Sequence, residues 1–204
     1  VVVKSTVPVG TNDKVEQFIR DFLVRDVKVE VASNPEFLAQ GSAVHDTLHA
    51  ARIIIGTESA EAEAKLRKIY EPFELPIVSV NRRSAEMIKY ACNDFLALKI
   101  SYMNDIANLC ELVGADIDAV AEGMSYDARI GSRFLNAGIG YGGSCFPKDT
   151  KALKLYRASA RLYAADCGSG GRCECGTEDQ TVPEGEQPDD YVPESADGCA
   201  WTCI

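Results

Sequence analysis

A regular alternation of strand-like and helix-like segments over the first 80 residues constrains the fold of this 204-residue chain more than any other feature. Runs of β-branched and apolar residues predict four strands, at 1–6, 27–32, 51–56 and 76–80. Between them, apolar residues at helical spacing predict helices at 11–23 and 59–70, with Thr11 or Asn12 as the cap of the first. This alternation is typical of an α/β layer with a largely parallel sheet.

The pattern then changes to one long helix. Apolar residues recur at steps of three and four from Ser84 to Val113, which predicts a helix of about 45 Å. A helix of this length either pairs with a second copy of the chain or serves as a core helix within one subunit, and we expect a homodimer through residues 84–113. A short helix at 116–123 follows, and a further helix is predicted to begin near Asp149.

The composition changes abruptly after residue 156. From Arg157 onward the chain lacks lysine, phenylalanine and methionine, whereas glycine, proline, cysteine and acidic residues dominate. Such a segment buries too little apolar surface to order itself. It is either a disordered or metal-binding tail, with Cys173 and Cys175 as candidate ligands, or a sequence unrelated to the protein's design, such as an out-of-frame read; we favour the second. The predicted organisation is an α/β part at 1–81, a helical domain at 82–156 and an atypical tail at 157–204.

Charge and hydropathy argue against two classes of partner. A formal net charge of −10 disfavours nucleic acid, which requires a basic face. No apolar run is long enough to span a membrane, and the first residues lack the features of a signal peptide. They continue a strand pattern without an initiating methionine, so we expect the chain to come from the middle of a longer protein.

Cysteine usage indicates the redox setting. Cys92, Cys110 and Cys145 lie in the well-patterned region and fit a reduced, cytoplasmic location. The other five cysteines crowd the last 40 or so residues, and an odd number makes a closed disulfide framework awkward.

The segment GYGGSCFPKD, which ends at Asp149, carries the strongest catalytic signal. The glycines before Cys145 let backbone and substrate approach closely, as a thiol that attacks a carbonyl requires and a core-filling thiol does not. Lys148 is suited to draw the thiol toward thiolate or to hold a phosphate, and Asp149 is a candidate acid or base. We therefore predict that Cys145 is a nucleophile.

Two further candidates follow predicted strands. Thr6 ends the first strand, where ligands gather in open parallel sheets, although a hydroxyl there also serves simply as a turn cap. Glu36, in SNPEFLAQG, follows the second strand. Its carboxylate is either a general base or a helix-start carboxylate stabilised by the helix dipole, and the segment alone leaves both readings open.

Lys89 and Asn93 lie one turn apart on the long predicted helix and therefore share one face. Lys89 falls between two apolar residues, and a lysine half-sunk in such a face can act as an acid, a base or an oxyanion stabiliser. Most helical lysines are simply solvated. His45 and His49 have the spacing of a metal pair, but no third ligand is evident, so no metal site is predicted.

Five segments, STVPVGT, SNPEFLAQG, SAEMIKYACNDF, DARIG and GYGGSCFPKD, occur in the order and spacing of one family. Over residues 1 to about 155 the chain resembles the UDP-glucose/GDP-mannose dehydrogenase family. The resemblance implies the last strands of an NAD-binding, Rossmann-like domain followed by nearly all of a helical central domain that forms the dimer. The G-x-G-x-x-G fingerprint and the family's third domain are absent from this sequence.

The resemblance also implies the chemistry. It is a four-electron oxidation of UDP-glucose to UDP-glucuronate with two NAD+, through a thiohemiacetal and a thioester on Cys145. A base, or a water held by Asp149 and Thr6, would take the alcohol proton, and Lys89 and Asn93 would steady the oxyanion. Glu36, together with Asp149, would help to activate the water that hydrolyses the thioester. The alternatives are GDP-mannose as substrate, or an inactive, truncated dimerisation fragment. Polysaccharide precursors are the usual use of such products.

The remaining roles carried over from the family concern binding. Thr6, Lys148 and Gln40 would lie near NAD, with Lys148 suited to the diphosphate. Gln40 stands where the family often has glutamate, so any role as a base falls to Glu36. The segment GGSCFPKD favours UDP-glucose, because relatives that act on N-acetylated sugars typically have GGHC. The sugar-nucleotide site would comprise Phe37, Leu38, Lys89, Asn93, Phe134, Tyr141, Gly142 and, reaching toward the partner subunit, Arg129.

Overall fold

The computed structural model describes residues 1–39 and 41–159, with side chains described as far as residue 156. The chain divides into two compact units, Val1–Cys92 and the residues from Asn93 onward. The predictions for Gln40 and for the cysteine-rich tail, including Cys173 and Cys175, lie outside the described residues.

A four-stranded sheet organises the first unit. Its strands β1 (Val2–Val3), β2 (Ala32–Ser33), β3 (Ile53–Gly56) and β4 (Ile77–Val80) lie in the order β1-β2-β3-β4. The β1–β2 and β3–β4 pairs are parallel, whereas β2 and β3 meet in an antiparallel pair at Ser33 and Gly56. The predicted α/β class with a parallel-dominated sheet is confirmed, but the strands are shorter than the β-branched runs that predicted them.

The helices of this unit are α1 (Thr11–Phe22), α2 (Ala43–Leu48), α3 (Ala60–Tyr70) with a 3₁₀ turn at Glu71–Phe73, and the first part of α4 (Arg82–Val113). The short helix α2 was not predicted. The predicted cap of α1 was wrong: Gly10 occupies the cap position, and neither Thr11 nor Asn12 caps through its side chain. In α3 the hydroxyl of Ser59 accepts the Ala62 N–H at 3.2 Å, an ordinary N-cap.

The core of the first unit lies between the sheet and α3. Ala32, Ile53, Ile55 and Leu66 are buried together, and Tyr70, Leu75 and Ile77 pack against them. Ile53 and Ile55 alternate along β3 and therefore point to the same face. Burial of these aliphatic side chains supplies most of the stabilisation that a short, four-stranded sheet needs.

Gly56, the last residue of β3, marks a close approach to α4. A Cβ atom added at Gly56 would lie 2.4 Å from the Cβ of Ala85 and 3.1 Å from the backbone of Arg82. Ala85 is fully buried. The end of the strand and the first turn of α4 therefore meet nearly backbone to backbone, which only small residues permit.

In the second unit, the rest of α4 is followed by α5 (Ile117–Ser125) and α6 (Cys145–Ser159). Asp116 caps α5 by accepting the Asp118 N–H at 2.9 Å. The predicted start of α6 near Asp149 was wrong, because the helix begins at Cys145. Pro147 is compatible with this start, since the first turn of a helix does not need its N–H.

Two side chains of α4 hold the loop before α6. Lys99 donates to the carbonyls of Ile130 and Arg133 at 3.1 and 2.6 Å, and Asn104 accepts the Gly138 N–H at 2.8 Å. Across the described ranges, none of the helices combines the length and apolarity required to cross a bilayer.

Candidate active site

Lys89 and Glu36 form an ion pair in the first unit. Lys89 Nζ lies 3.3 Å from Glu36 Oε1, and the lysine is only 3% exposed. It is thus more deeply buried than the half-sunk lysine that the sequence predicted. The other carboxylate oxygen of Glu36 accepts the Leu38 N–H at 2.8 Å, which fixes the carboxylate and the segment after β2 together.

Two cationic side chains contact the Phe37 ring. Arg52 stacks 4.0 Å from the centre of its ring, and Lys89 Nζ lies 5.2 Å away. Arg52 also lies 3.2 Å from the Cys92 sulfur. The ring faces attract both positive groups, so Phe37 is held in place, whereas its neighbour Leu38 is exposed.

Asn34 fastens the strand that leads to this segment. Its side-chain oxygen accepts from Lys4 Nζ at 2.8 Å and from the Tyr70 hydroxyl, and its amide donates to the Ile54 carbonyl at 2.8 Å. Thr6 is half-buried in the segment that follows β1. That strand ends at Val3, so Thr6 lies three residues beyond the strand end and not at it as predicted.

Asn93 and Asp149 form the central contact of the second unit. The Asn93 amide donates to Asp149 Oδ2 at 2.6 Å, and Asp149 is completely buried. Lys148 Nζ lies 2.9 Å from Asp149 Oδ1, but the ammonium is not aligned to hydrogen-bond it. Oδ1 is therefore a buried acceptor without a hydrogen-bond donor among the described residues.

Asp94 adds a second carboxyl group to this region. One of its oxygens is buried and has no hydrogen-bond partner in the described part of the chain. Burial, together with the negative charge of Asp149, raises the pKa of Asp94 to about 6. Sequence reasoning did not identify Asp94, because a single acidic residue on a helix usually faces water.

Cys145 is the first residue of α6, and it is exposed. Its sulfur lies 3.9 Å from the Ser144 hydroxyl. The N-terminus of a 15-residue helix favours negative charge on a nearby group. Asp149 follows four residues later, so both side chains lie on one face of α6.

The other predicted substrate residues of this unit lie in the segment between α5 and α6. Arg129 is exposed and binds Asp127 through contacts of 2.6 to 3.1 Å. Phe134 is partly exposed with a left-handed backbone (φ 65°). The Tyr141 ring meets Phe146 edge-on at 5.9 Å, and Gly142 is exposed.

One buried carboxylate, Glu86, was not predicted from the sequence. Glu86 on α4 is 3% exposed and binds the start of α1 through three hydrogen bonds. Its position three residues before Lys89, on the same helix face, was the one available signal. Asn34 and Arg52 were also missed, because their contacts are far away in sequence.

Two further features contain none of the predicted site residues. His45 and His49 stack at 4.8 Å, and the described residues include no cluster of three or more His, Cys, Asp or Glu side chains that could hold a metal. A shallow cavity of about 450 Å³ in the first unit is lined by Val9, Asp13, Glu58, Asn81, Arg83, Ser84 and Met87.

Two family models match the chain. The NAD binding domain of the UDP-glucose/GDP-mannose dehydrogenase family matches residues 1–74, and the central domain of that family matches residues 83–167. Among curated relatives, the chain is 61% identical over 153 residues to UDP-glucose 6-dehydrogenase YwqF and 53% identical over 160 residues to UDP-glucose 6-dehydrogenase TuaD, both of Bacillus subtilis. These alignments cover 75% and 78% of this chain, which spans 35% of the length of either relative.

Solved structures give the same result. A UDP-glucose dehydrogenase from Pyrobaculum islandicum superimposes with a TM-score of 0.76 at 44% identity, covering 79% of this chain and 37% of that one. A GDP-mannose dehydrogenase from Pseudomonas aeruginosa superimposes with a TM-score of 0.60 at 32% identity, covering 80% and 38%.

Proposed function

This chain belongs to the UDP-glucose/GDP-mannose dehydrogenase family, and we propose that its residues catalyse the NAD-dependent oxidation of UDP-glucose to UDP-glucuronate. The observation that carries this proposal is the buried Asn93–Asp149 pair. The second oxygen of Asp149 lies 2.9 Å from Lys148 Nζ but accepts no hydrogen bond from a described residue, and Cys145 is one helical turn away. The names of the relatives above support UDP-glucose over GDP-mannose, because the identities to the two UDP-glucose enzymes are far higher.

Cys145 is the proposed nucleophile. In the first half-reaction the C6 alcohol transfers its hydroxyl proton to a base and loses a hydride from C6, which gives an aldehyde. The Cys145 sulfur adds to the aldehyde carbon, and a proton is added to the aldehyde oxygen. The resulting thiohemiacetal loses this hydroxyl proton and a second hydride to become a thioester. Water then displaces the thiol and releases the carboxylate. An exposed thiol at the start of a helix, where negative charge is favoured, suits this sequence of steps.

Asp149 is the proposed holder of the water or base that receives the first proton, together with Thr6. Its Oδ2 is occupied by Asn93, whereas its buried Oδ1 has no hydrogen-bond donor among the described residues. A buried acceptor of this kind is satisfied by a water or a substrate hydroxyl. Asp149 therefore retains one position for the reacting group.

Lys89 and Asn93 are the proposed oxyanion stabilisers. They are four residues apart on α4, which directs both side chains to one helix face. Lys89 is buried beside Glu36, and a cation with little water around it acts more strongly on a developing negative charge. Asn93 uses one N–H for Asp149 and has a second to donate. Glu36 is proposed to help activate the water that hydrolyses the thioester.

The residues proposed for NAD are Thr6, Lys148 and Gln40, the last of which is not described. When bound, NAD+ supplies the acceptor for both hydrides. The donor chemistry of the chain fits such a group: Thr6 is half-buried, and the Lys148 side chain is 56% exposed, so its ammonium can bind a diphosphate oxygen while it lies 2.9 Å from Asp149 Oδ1.

A sugar-nucleotide site and a second subunit complete the proposal. Phe37, Leu38, Phe134, Tyr141 and Gly142 supply aromatic and glycine surface for the sugar nucleotide, and Arg129 is proposed to reach the substrate of the partner subunit. Exposed apolar side chains on the later part of α4 favour a homodimer over a buried core helix; they are Phe95, Leu98, Tyr102, Leu109, Leu112 and Val113.

The proposed location is the cytoplasm. Cys92, Cys110 and Cys145 are all free thiols. Thiols stay reduced in the cytosol, whereas oxidising compartments favour disulfides, and this supports the proposed location.

A hybrid enzyme tests the function. In it, the segment from Val1 to Leu155 replaces the corresponding segment of YwqF, because the chain spans only 35% of that relative. We expect NADH formation with UDP-glucose, two NADH for each sugar consumed, and at least about a thousandfold loss of acid formation in Cys145→Ala. GDP-mannose should be a poor substrate.

Three outcomes would contradict the proposal. A folded hybrid that binds NAD but turns over neither sugar nucleotide would favour a structural remnant. Preference for GDP-mannose would overturn the substrate. Normal acid formation by Cys145→Ala would overturn the nucleophile. The 204-residue chain, assayed alone beside its own Cys145→Ala variant, shows whether this segment suffices without the rest of the enzyme.

A further inference from the structure

The N-terminus of α1 is capped by a carboxylate from α4, about 75 residues further along the chain. Glu86 Oε2 accepts the Gly10 N–H at 2.6 Å, and Oε1 accepts the Asn12 N–H at 2.9 Å and the Asn12 side-chain amide at 2.6 Å. Glu86 is 3% exposed and Asn12 is fully buried. Because α1 has no cap from its own side chains, Glu86 satisfies backbone donors that would otherwise be buried and unpaired.

This contact restrains the segment that carries Thr6. Three residues separate Thr6 from Gly10, and Pro8 among them has a fixed φ. The Thr11 N–H donates to the Pro8 carbonyl at 3.0 Å, which closes the turn. Gly10 adopts a left-handed backbone (φ 92°) that glycine permits at little cost. The segment that carries Thr6 is therefore held at one end by β1, where the Asn34 N–H donates to the Val3 carbonyl at 2.8 Å, and at the other end by the Glu86 contact with Gly10.

The same helix face also restrains the second loop of the site. Lys89 lies three residues after Glu86 on α4 and binds Glu36 at 3.3 Å. The first turns of α4 thus hold the segments that follow β1 and β2, one through Glu86 and the other through Lys89. The Glu86 contact therefore holds one end of the segment that carries Thr6, on the same helix from which Lys89 binds Glu36.

We propose that Glu86 is a positioning residue of this enzyme: by capping α1 from α4, it sets the place of Thr6 relative to Lys89 for hydride transfer. The inference rests on the proposed function, because it gives Thr6 a part in the reaction. Glu86 itself touches neither substrate nor cofactor.

The first test needs no activity. Glu86→Gln in the 204-residue chain keeps the shape but turns one acceptor into a donor, which leaves an N–H of Gly10 or Asn12 without its partner. We expect amide exchange at Gly10 and Asn12 to accelerate about tenfold or more. Glu16→Gln is the matched control, because Glu16 also joins α1 to α4 through Arg82 at 2.6 Å but does not touch this turn. Equal acceleration in both variants would overturn the cap.

The second test is a double-mutant cycle in the hybrid enzyme. Glu86→Gln should lower kcat about tenfold with little change in the KM for UDP-glucose. In a Thr6→Ala background the same change should cost less than about twofold, because the residue through which Glu86 acts is gone. Additive effects would mean that Glu86 acts on general stability alone, and would overturn the inference.

Two further outcomes are distinguishable. If the parent hybrid folds and binds NAD but is inactive, both the proposed function and the role of Glu86 in catalysis are refuted. Amide exchange at Gly10 and Asn12 still decides whether Glu86 holds the turn. If Glu86→Gln does not fold, Gly10→Ala replaces it: an added Cβ meets nothing within 4 Å, so its effect comes only from the left-handed backbone. It should show the same non-additivity with Thr6→Ala, and additivity there would equally overturn the proposal.

Discussion

The Asn93 amide donates a 2.6 Å hydrogen bond to Asp149 Oδ2, and both residues are buried. The bond joins α4 to α6 within the second unit and fixes one oxygen of a carboxylate that has little access to water. A hydrogen bond to a buried charge is among the stronger ones in proteins.

Asn93→Ala should therefore lower the free energy of unfolding by about 2 kcal/mol, because it leaves a buried carboxylate oxygen without its donor. Asn104→Ala is the matched control on the same helix, since Asn104 accepts one backbone N–H at an exposed site. Urea denaturation of both variants checks this. A similar decrease in the free energy of unfolding for both variants would show that the Asn93–Asp149 hydrogen bond stabilises the protein no more than an exposed one.

Asp94 predicts a pH dependence of stability. Its pKa is raised from 3.8 to about 6 in the folded protein, so between these values the folded state holds a proton that the unfolded state has lost. The contribution of Asp94 to the free energy of unfolding is therefore greatest below about pH 4 and decreases as the pH rises toward 6. Allowing for solvent screening, the loss is about 1 kcal/mol.

Asp94→Asn should remove that fall, and the exposed Asp105→Asn on the same helix should leave it in place. The measurement is the difference in unfolding free energy between wild type and variant at several pH values. A difference that does not change between pH 4 and 6 would contradict the raised pKa.

Lys89→Met should reduce kcat of the hybrid enzyme about a hundredfold or more, because it removes a buried cation from beside the proposed oxyanion. Lys99→Met is the control, since the partners of Lys99 on the same helix, among the described residues, are the carbonyls of Ile130 and Arg133. Steady-state kinetics with UDP-glucose separate the two. Equal losses of kcat would assign Lys89 a structural role.

Cysteine alkylation reports the environment of Cys145. Cys145 is exposed and begins a helix, whereas Cys110 is 5% exposed. Iodoacetamide should modify Cys145 at least about tenfold faster than Cys110 in the folded chain, and at a similar rate in denaturant. Peptide mass spectrometry gives both rates. Faster labelling of Cys110 would contradict the described burial.

Gly56→Ala should destabilise the chain by about 2 to 3 kcal/mol, because the new methyl group would lie 2.4 Å from the Ala85 Cβ. Ala85→Gly alone should cost about 1 kcal/mol of helix stability. In the Gly56→Ala background, however, Ala85→Gly should be stabilising, since it removes the clash. Thermal unfolding of the four proteins tests this change of sign, and additive losses would exclude the close approach.

Helical periodicity predicted the fold where apolar residues recur over several turns. Helices α1, α3, α4 and α5 follow that signal closely, whereas α2, with six residues, is too short to show it. The strands are shorter than predicted, because a β-branched run shows propensity and only pairing with a neighbour defines a strand. The start of α6 was misplaced by reading the glycine-rich turn as continuing to Asp149.

The candidate site was predictable where chemistry depends on residue type and local spacing. Lys89 and Asn93 are four residues apart on a helix that periodicity predicted, whereas Cys145 and Asp149 were identified by residue type within the glycine-rich segment GYGGSCFPKD. Glu86 was not predictable in this way, because its partners Gly10 and Asn12 are 76 and 74 residues away. Contacts at that distance depend on how the chain folds back on itself, which no local pattern records.

The exposure of Cys145 also determines how this protein must be handled. A solvent-accessible thiol at a helix N-terminus is readily oxidised by peroxide to a sulfenic acid, which further oxidant converts irreversibly to sulfinic acid. Of the three described cysteines, Cys145 alone is exposed. A preparation kept without reductant would therefore lose the proposed nucleophile to oxidation. A lack of turnover is therefore informative only for samples that were purified with a reductant and that have a free thiol at Cys145.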